Sequence, residues 1–70
     1  MKELTNEYYQ LTLAEAREAV GMSQSAISTA IGVTQATFSR YETGEFLPGD
    51  AAMLNLVNFF GEYNIKITWN

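Results

Sequence analysis

SQSAISTAIGVTQATFSRYETG, the stretch from Ser23 to Gly44, decides how this chain folds. Ser23 is an N-cap residue, because its hydroxyl can accept a backbone N–H that the first helical turn leaves unpaired. Ile27 and Ile31 follow four residues apart on one helical face. Gly32 then stands where a left-handed residue would end that helix. After Val33, Thr34 is a second N-cap candidate, and Phe38 with Tyr41 gives a further short helix its buried face. Thr43-Gly44 closes it. The stretch therefore predicts two short helices joined by a tight turn at Gly32, over about residues 23–43.

Upstream, Thr12-Leu13-Ala14-Glu15 is a capping box, in which the hydroxyl and the carboxylate each satisfy a backbone N–H at a helix start. A helix is expected from there to about Val20, with Leu13, Ala16 and Val20 on its inner face and Gly21 as its end. Tyr9 extends that face one turn back, which also permits a start near Thr5 or Asn6. Downstream, Pro48-Gly49-Asp50 opens a last helix, with Asp50 favourable at the positive end of its dipole. Met53, Leu54, Val57 and Phe60 are read as its inner stripe and Gly61 as its terminator. From Ile65 the period changes to two: Ile65, Ile67 and Trp69 alternate with Lys66, Thr68 and Asn70, as in a half-buried strand. Tyr8, Tyr9, Phe59, Phe60 and Tyr63 are read as core or interface residues.

Seventy residues make one domain, 1–70, which at this size buries only ~60% of the surface of its unfolded form. Apolar residues make up 47% and charged ones 17%, the balance of a folded chain. There is no cysteine to add a disulfide or a thiolate metal site. With no histidine either, no glycine-rich phosphate loop and no clustered acids, the sequence offers nothing for catalysis, a cofactor or a metal. No apolar run reaches the ~20 residues of a membrane helix, so a soluble, cytoplasmic protein is expected. The net charge is −4, yet the acids lie at Glu3, Glu7, Glu15, Glu18, Glu42, Glu45, Asp50 and Glu62. From Ala19 to Tyr41 the one charged residue is Arg40.

On the third helix, Gln35, Ala36, Ser39, Arg40 and Thr43 share the face opposite Phe38 and Tyr41, a polar and nearly uncharged surface. Gln pairs with adenine, Arg with guanine O6 and N7, and an Ala methyl meets the thymine methyl, so this set suits the reading of base edges in a major groove. Phosphate contacts would come from the helix starts at Ser23 and Thr34 and the Gln24 side chain beside one of them, with Thr37 a further DNA-binding candidate. The pattern Gly21-Met22-Ser23-Gln24, Ser28, Ile31-Gly32-Val33-Thr34-Gln35, Tyr41-Glu42-Thr43-Gly44 and Pro48 resembles the Cro and repressor helix-turn-helix family, also called the XRE family, over about two thirds of the chain. That resemblance implies a mainly α fold, a lambda-repressor-like or Cro-like bundle of four or five short helices, here with a C-terminal strand. It implies that Gln24 braces a phosphate and the first base contact, that Gln35, Ala36 and Arg40 read bases, and that Arg17 pairs with Glu42 between the first and third helices. Thr43 stands where the family usually has Asn.

The function so implied is a transcriptional repressor that binds a palindromic duplex operator as a homodimer, with no membrane or small-molecule ligand. The apolar alternation at Ile65, Ile67 and Trp69 offers a dimer interface over 65–69, since a terminal strand has an edge to pair. The same strand can instead pair within the chain, with the segment Leu4 to Leu11. The acidic total keeps a second reading open, that of a helix-turn-helix protein acting on a protein partner, as an antitoxin or antirepressor does.

Overall fold

Three hydroxyls start three of the helices. The computed structural model describes residues 9–69, arranged as β1 (Tyr9–Leu11), α1 (Leu13–Ala19), α2 (Gln24–Ile31), α3 (Gln35–Thr43), α4 (Asp50–Gly61) and β2 (Ile65–Ile67). Thr12 Oγ1 accepts from Glu15 N at 3.2 Å, and Glu15 Oε1 accepts from Thr12 N at 3.0 Å, which completes the capping box of α1. Ser23 Oγ accepts from Ala26 N, and Thr34 Oγ1 from Thr37 N, at 3.0 and 3.1 Å. These are the caps read from the sequence. The earlier start of α1, at Thr5 or Asn6, lies outside the described residues, as do Tyr8 and Asn70.

The turn between α2 and α3 depends on Gly32, whose φ of 82° lies in the left-handed region. With the chain so reversed, Val33 N reaches back to Ser28 O at 2.9 Å, closing a carbonyl at the end of α2. Leu13 and Ala16 of α1, Ile27 and Ile31 of α2, and Phe38 and Tyr41 of α3 meet Leu56 and Phe60 of α4 and Ile65 of β2 in one core. Phe38 and Phe60 are fully buried, each contributing about 1.5 to 3 kcal/mol by removal from water. α4 also holds the pair of helices from outside: Asn55 Nδ2 donates to Ile31 O at 3.2 Å, at the carbonyl end of α2.

α4 presents a different face from the one its sequence suggested. Leu56 is fully buried beside Phe60, whereas Leu54 and Val57 are 59% and 54% exposed and Met53 is half-buried. Six of the eight residues from Met53 to Phe60 are apolar, so several stripes fit the sequence equally and the packing surface selects one. Gly61 is the last residue of α4 rather than its terminator. The reversal falls on Asn64, at φ 60°, a left-handed position that Asn tolerates better than most residues.

β2 pairs within the chain, parallel to β1, with Tyr9 opposite Ile65 and Leu11 opposite Ile67. Tyr9 N donates to Asn64 O at 2.9 Å and Thr68 N to Leu11 O at 2.8 Å, one bond at each end of the ladder. Tyr9 is thus a strand residue, 71% exposed, and does not extend the inner face of α1. The strand ends at Ile67, short of Trp69, although the alternation persists: Ile65 is buried, Ile67 and Trp69 half-buried, Lys66 and Thr68 exposed.

A Cβ on Gly32 or on Gly61 would meet nothing within 4 Å, so only backbone conformation separates the two sites. Gly32→Ala is expected to cost about 1 to 2 kcal/mol, because the left-handed turn penalises a side chain. Gly61→Ala, at the last residue of α4 and outside the left-handed region, is expected to add about 0.4 to 1 kcal/mol. Thermal unfolding checks both, at roughly 4 to 8 °C per kcal/mol for a domain of this size.

Candidate nucleic-acid interface

The position of α3 is fixed from its inner side by a carboxylate. Glu42, whose side chain is 8% exposed, accepts from Arg17 Nε of α1, from Arg17 Nη2 at 3.5 Å and from Gln24 Nε2 of α2 at 2.8 Å. Arg17 also donates through Nη1 to Met22 O at 3.0 Å, in the link between α1 and α2. The hydrogen bond to Glu42 raises the pKa of Arg17 above its ordinary value, burial opposes that shift, and the charges of Glu42 and Glu18 add to it. One acid therefore ties three helices together. The ion pair was expected between α1 and α3; the third member, Gln24, had been read as a phosphate ligand, and it gives one of its amide hydrogens to Glu42.

With Phe38 and Tyr41 buried and Glu42 turned to its partners, the remaining positions of α3 form the outer face. Gln35, Ala36, Arg40 and Thr43 are exposed, as is the cap residue Thr34, while Thr37 and Ser39 are half-buried. Thr34 Oγ1 and Thr37 Oγ1 lie 3.0 Å apart in a hydrogen bond, so Thr37 belongs to the cap. Thr43 Oγ1 donates to Arg40 O at 3.1 Å and accepts from Glu45 N at 3.3 Å, which commits its single hydroxyl hydrogen to the helix end. Arg40 is half-exposed, its Nε 3.7 Å from Glu45 Oε1 and its guanidinium carbon 5.4 Å from the centre of the Phe46 ring. The sequence names Glu45 only as one of the eight acids and gives Phe46 no role.

The surface of this helix pair is close to neutral. α2 carries no charged residue, and α3 carries Arg40 and the inwardly paired Glu42 alone. Two capped N-termini open toward solvent on it, at Ser23 and Thr34. Among the described residues no group of three potential metal-ligating side chains gathers, and no helix is long and apolar enough to cross a membrane.

Two short helices around a left-handed glycine, the second with an exposed polar face, define a helix-turn-helix. The chain belongs to the helix-turn-helix domain family, whose model matches residues 11–62, and it is thereby a DNA-binding domain of a class that is typically non-enzymatic. Comparison with curated proteins and with solved structures gives no match in either set.

Glu42→Gln leaves the mostly buried Arg17 without its counter-charge and is expected to destabilise the domain by about 2 to 4 kcal/mol. Gln24→Ala removes one hydrogen bond to the same carboxylate and should cost about 1 kcal/mol. Because both act on one group, the double variant should lose less than the sum of the two, as read from urea denaturation.

Proposed function

We propose that this domain is a sequence-specific transcriptional regulator of the Cro and repressor type, which inserts α3 into the major groove of a palindromic operator and represses by occupancy. The observation that carries the reading is the outer face of α3, where Gln35, Ala36 and Arg40 are exposed while Phe38 and Tyr41 are buried. In this arrangement Gln35 reads adenine, Arg40 reads guanine and the Ala36 methyl meets thymine. Ser39 lines the same face at closer range. The N-termini of α2 and α3 bind phosphates through neutral donors: backbone N–H groups after the caps Ser23 and Thr34, the Thr37 hydroxyl, and the amide hydrogen of Gln24 not given to Glu42. Thr43 supports this face through the backbone rather than through a phosphate, because its hydroxyl hydrogen is already donated to Arg40 O.

Two copies acting together suit a palindrome, since recognition helices one DNA turn apart, at ~34 to 36 Å, read its two halves. The surface that supports a second copy lies at β2. A groove of about 440 Å³ lined by Val57, Gly61, Ile65, Lys66, Ile67 and Trp69 runs beside this strand. β1 occupies one edge of β2, and the apolar side chains of Ile67 and Trp69 remain half-exposed. Val57→Lys, at an exposed position of that groove, is expected to shift sedimentation from dimer toward monomer while leaving the fold intact.

Selection from random duplexes at low salt tests the function. The expected result is a palindrome whose information at one position is blurred by Arg40→Ala, at a cost of ~1 to 3 kcal/mol. With so few cations on the face, the salt dependence should be shallow, on the order of 0.9 log units of affinity per log unit of salt for each phosphate neutralised. Absence of enrichment at every protein concentration would overturn the reading in favour of a protein partner.

A further inference from the structure

The segment after α3 folds back on the residue assigned to guanine. Arg40 O accepts from Thr43 Oγ1 at 3.1 Å and from Phe46 N at 3.2 Å, and Thr43 Oγ1 in turn accepts from Glu45 N at 3.3 Å. These bonds return Glu45 and Phe46 to the helical turn that carries Arg40. Its Nε lies 3.7 Å from the Glu45 carboxylate and its guanidinium carbon 5.4 Å from the centre of the Phe46 ring. An acid beside the reading cation of a surface meant for phosphates is an unfavourable choice for affinity alone, because it offers the guanidinium an alternative to the DNA.

We propose that Glu45 is a positioning residue that competes with DNA for Arg40. This rests on the reading of α3 as the recognition helix. Both side chains are more than half exposed, at 51% and 60%, so the pair is weak and solvent-screened. The Phe46 face adds a second weak attraction. A lone phosphate, contacted in passing, offers Arg40 a contact of comparable strength, whereas the bidentate fork of guanine O6 and N7 offers a stronger one. Arg40 therefore leaves Glu45 for guanine and stays with it on other sequences. The consequence is that the cost of breaking the pair falls mainly on the correct site, so Glu45 lowers operator affinity and narrows the ratio between correct and incorrect sites.

The test is a double-mutant cycle with Glu45→Gln and Arg40→Ala, measured by fluorescence anisotropy on the selected operator and on a duplex of scrambled sequence. Wild-type binding to the operator establishes the parent reading independently of the cycle. Glu45→Gln is expected to tighten operator binding about two- to fivefold, to tighten scrambled-duplex binding less, and to steepen the salt slope on the scrambled duplex by about one as Arg40 becomes available to a phosphate. In the Arg40→Ala background the same substitution should change nothing. Operator binding by the wild type with an equal gain in both backgrounds would overturn the proposal, since Glu45 would then merely repel the DNA. Operator binding without any gain from Glu45→Gln would overturn it as well. Failure of every variant to bind either duplex would overturn the parent reading together with the proposal.

Discussion

The carboxylate of Glu42 is the point on which the arrangement of this domain turns. It accepts hydrogen bonds from a guanidinium on α1 and an amide on α2, and it belongs to α3. A helix of nine residues has little stability by itself, so its direction must come from tertiary contacts. Phe38 and Tyr41 anchor α3 to the core, but apolar packing is permissive about rotation. The charge-assisted bonds are directional, and they fix which residues of α3 look outward. A buried acid is costly unless it is fully paired, and here it is: no buried side-chain nitrogen or oxygen among the described residues lacks a partner. The same pairing removes Arg17 and Glu42 from the electrostatics of the surface, and since α2 carries no charge, Arg40 is left as the one uncompensated charge of a nearly neutral helix pair.

That neutrality changes the balance of forces at a DNA surface. A basic face gains affinity from counterion release on any sequence, and specificity must then be built on top of it. A neutral face gains little from the phosphate backbone, so a larger share of its affinity comes from hydrogen bonds whose geometry depends on sequence. The acids that set the net charge of −4 contribute to solubility and to long-range repulsion, which salt screens beyond about 8 to 10 Å. Such a domain is expected to spend less time on random DNA and to depend more on the fit at each base.

How much of this could be read from the residues follows the range of each interaction. The caps Thr12, Ser23 and Thr34 and the left-handed Gly32 and Gly44 involve neighbours three or four positions away, and each sits where the sequence places it. The inner faces of α2 and α3 were legible because each has few apolar residues, spaced for one stripe. α4 was not, since its apolar residues surround much of the helix and only contact with Ile31 and the rest of the core chooses Leu56. β1 lies within the segment from Leu4 to Leu11 named as the alternative partner of the C-terminal strand, but its three residues carry no alternation of their own, and Tyr9 fitted a helical stripe equally well. The bond from Gln24 to Glu42 and the return of Glu45 and Phe46 to Arg40 depend on how long side chains and a loop settle in space. Neither leaves a periodic trace.

The parallel pairing of β1 with β2 makes a ring of the described chain. Residue 9 cannot meet residue 65 until all four helices have brought the ends together, so the ladder is the contact with the greatest closure entropy in the domain. A ladder that costs so much closure entropy is expected to be the first part of the domain to open, and its amide protons then report on that partial opening rather than on global unfolding. Opening it would bare Ile65, a core residue, and so loosen the packing of Phe60 and Leu56 behind it. Two strands of three residues thus act as a latch, through which segments flanking the four helices govern the cooperativity of the core between them.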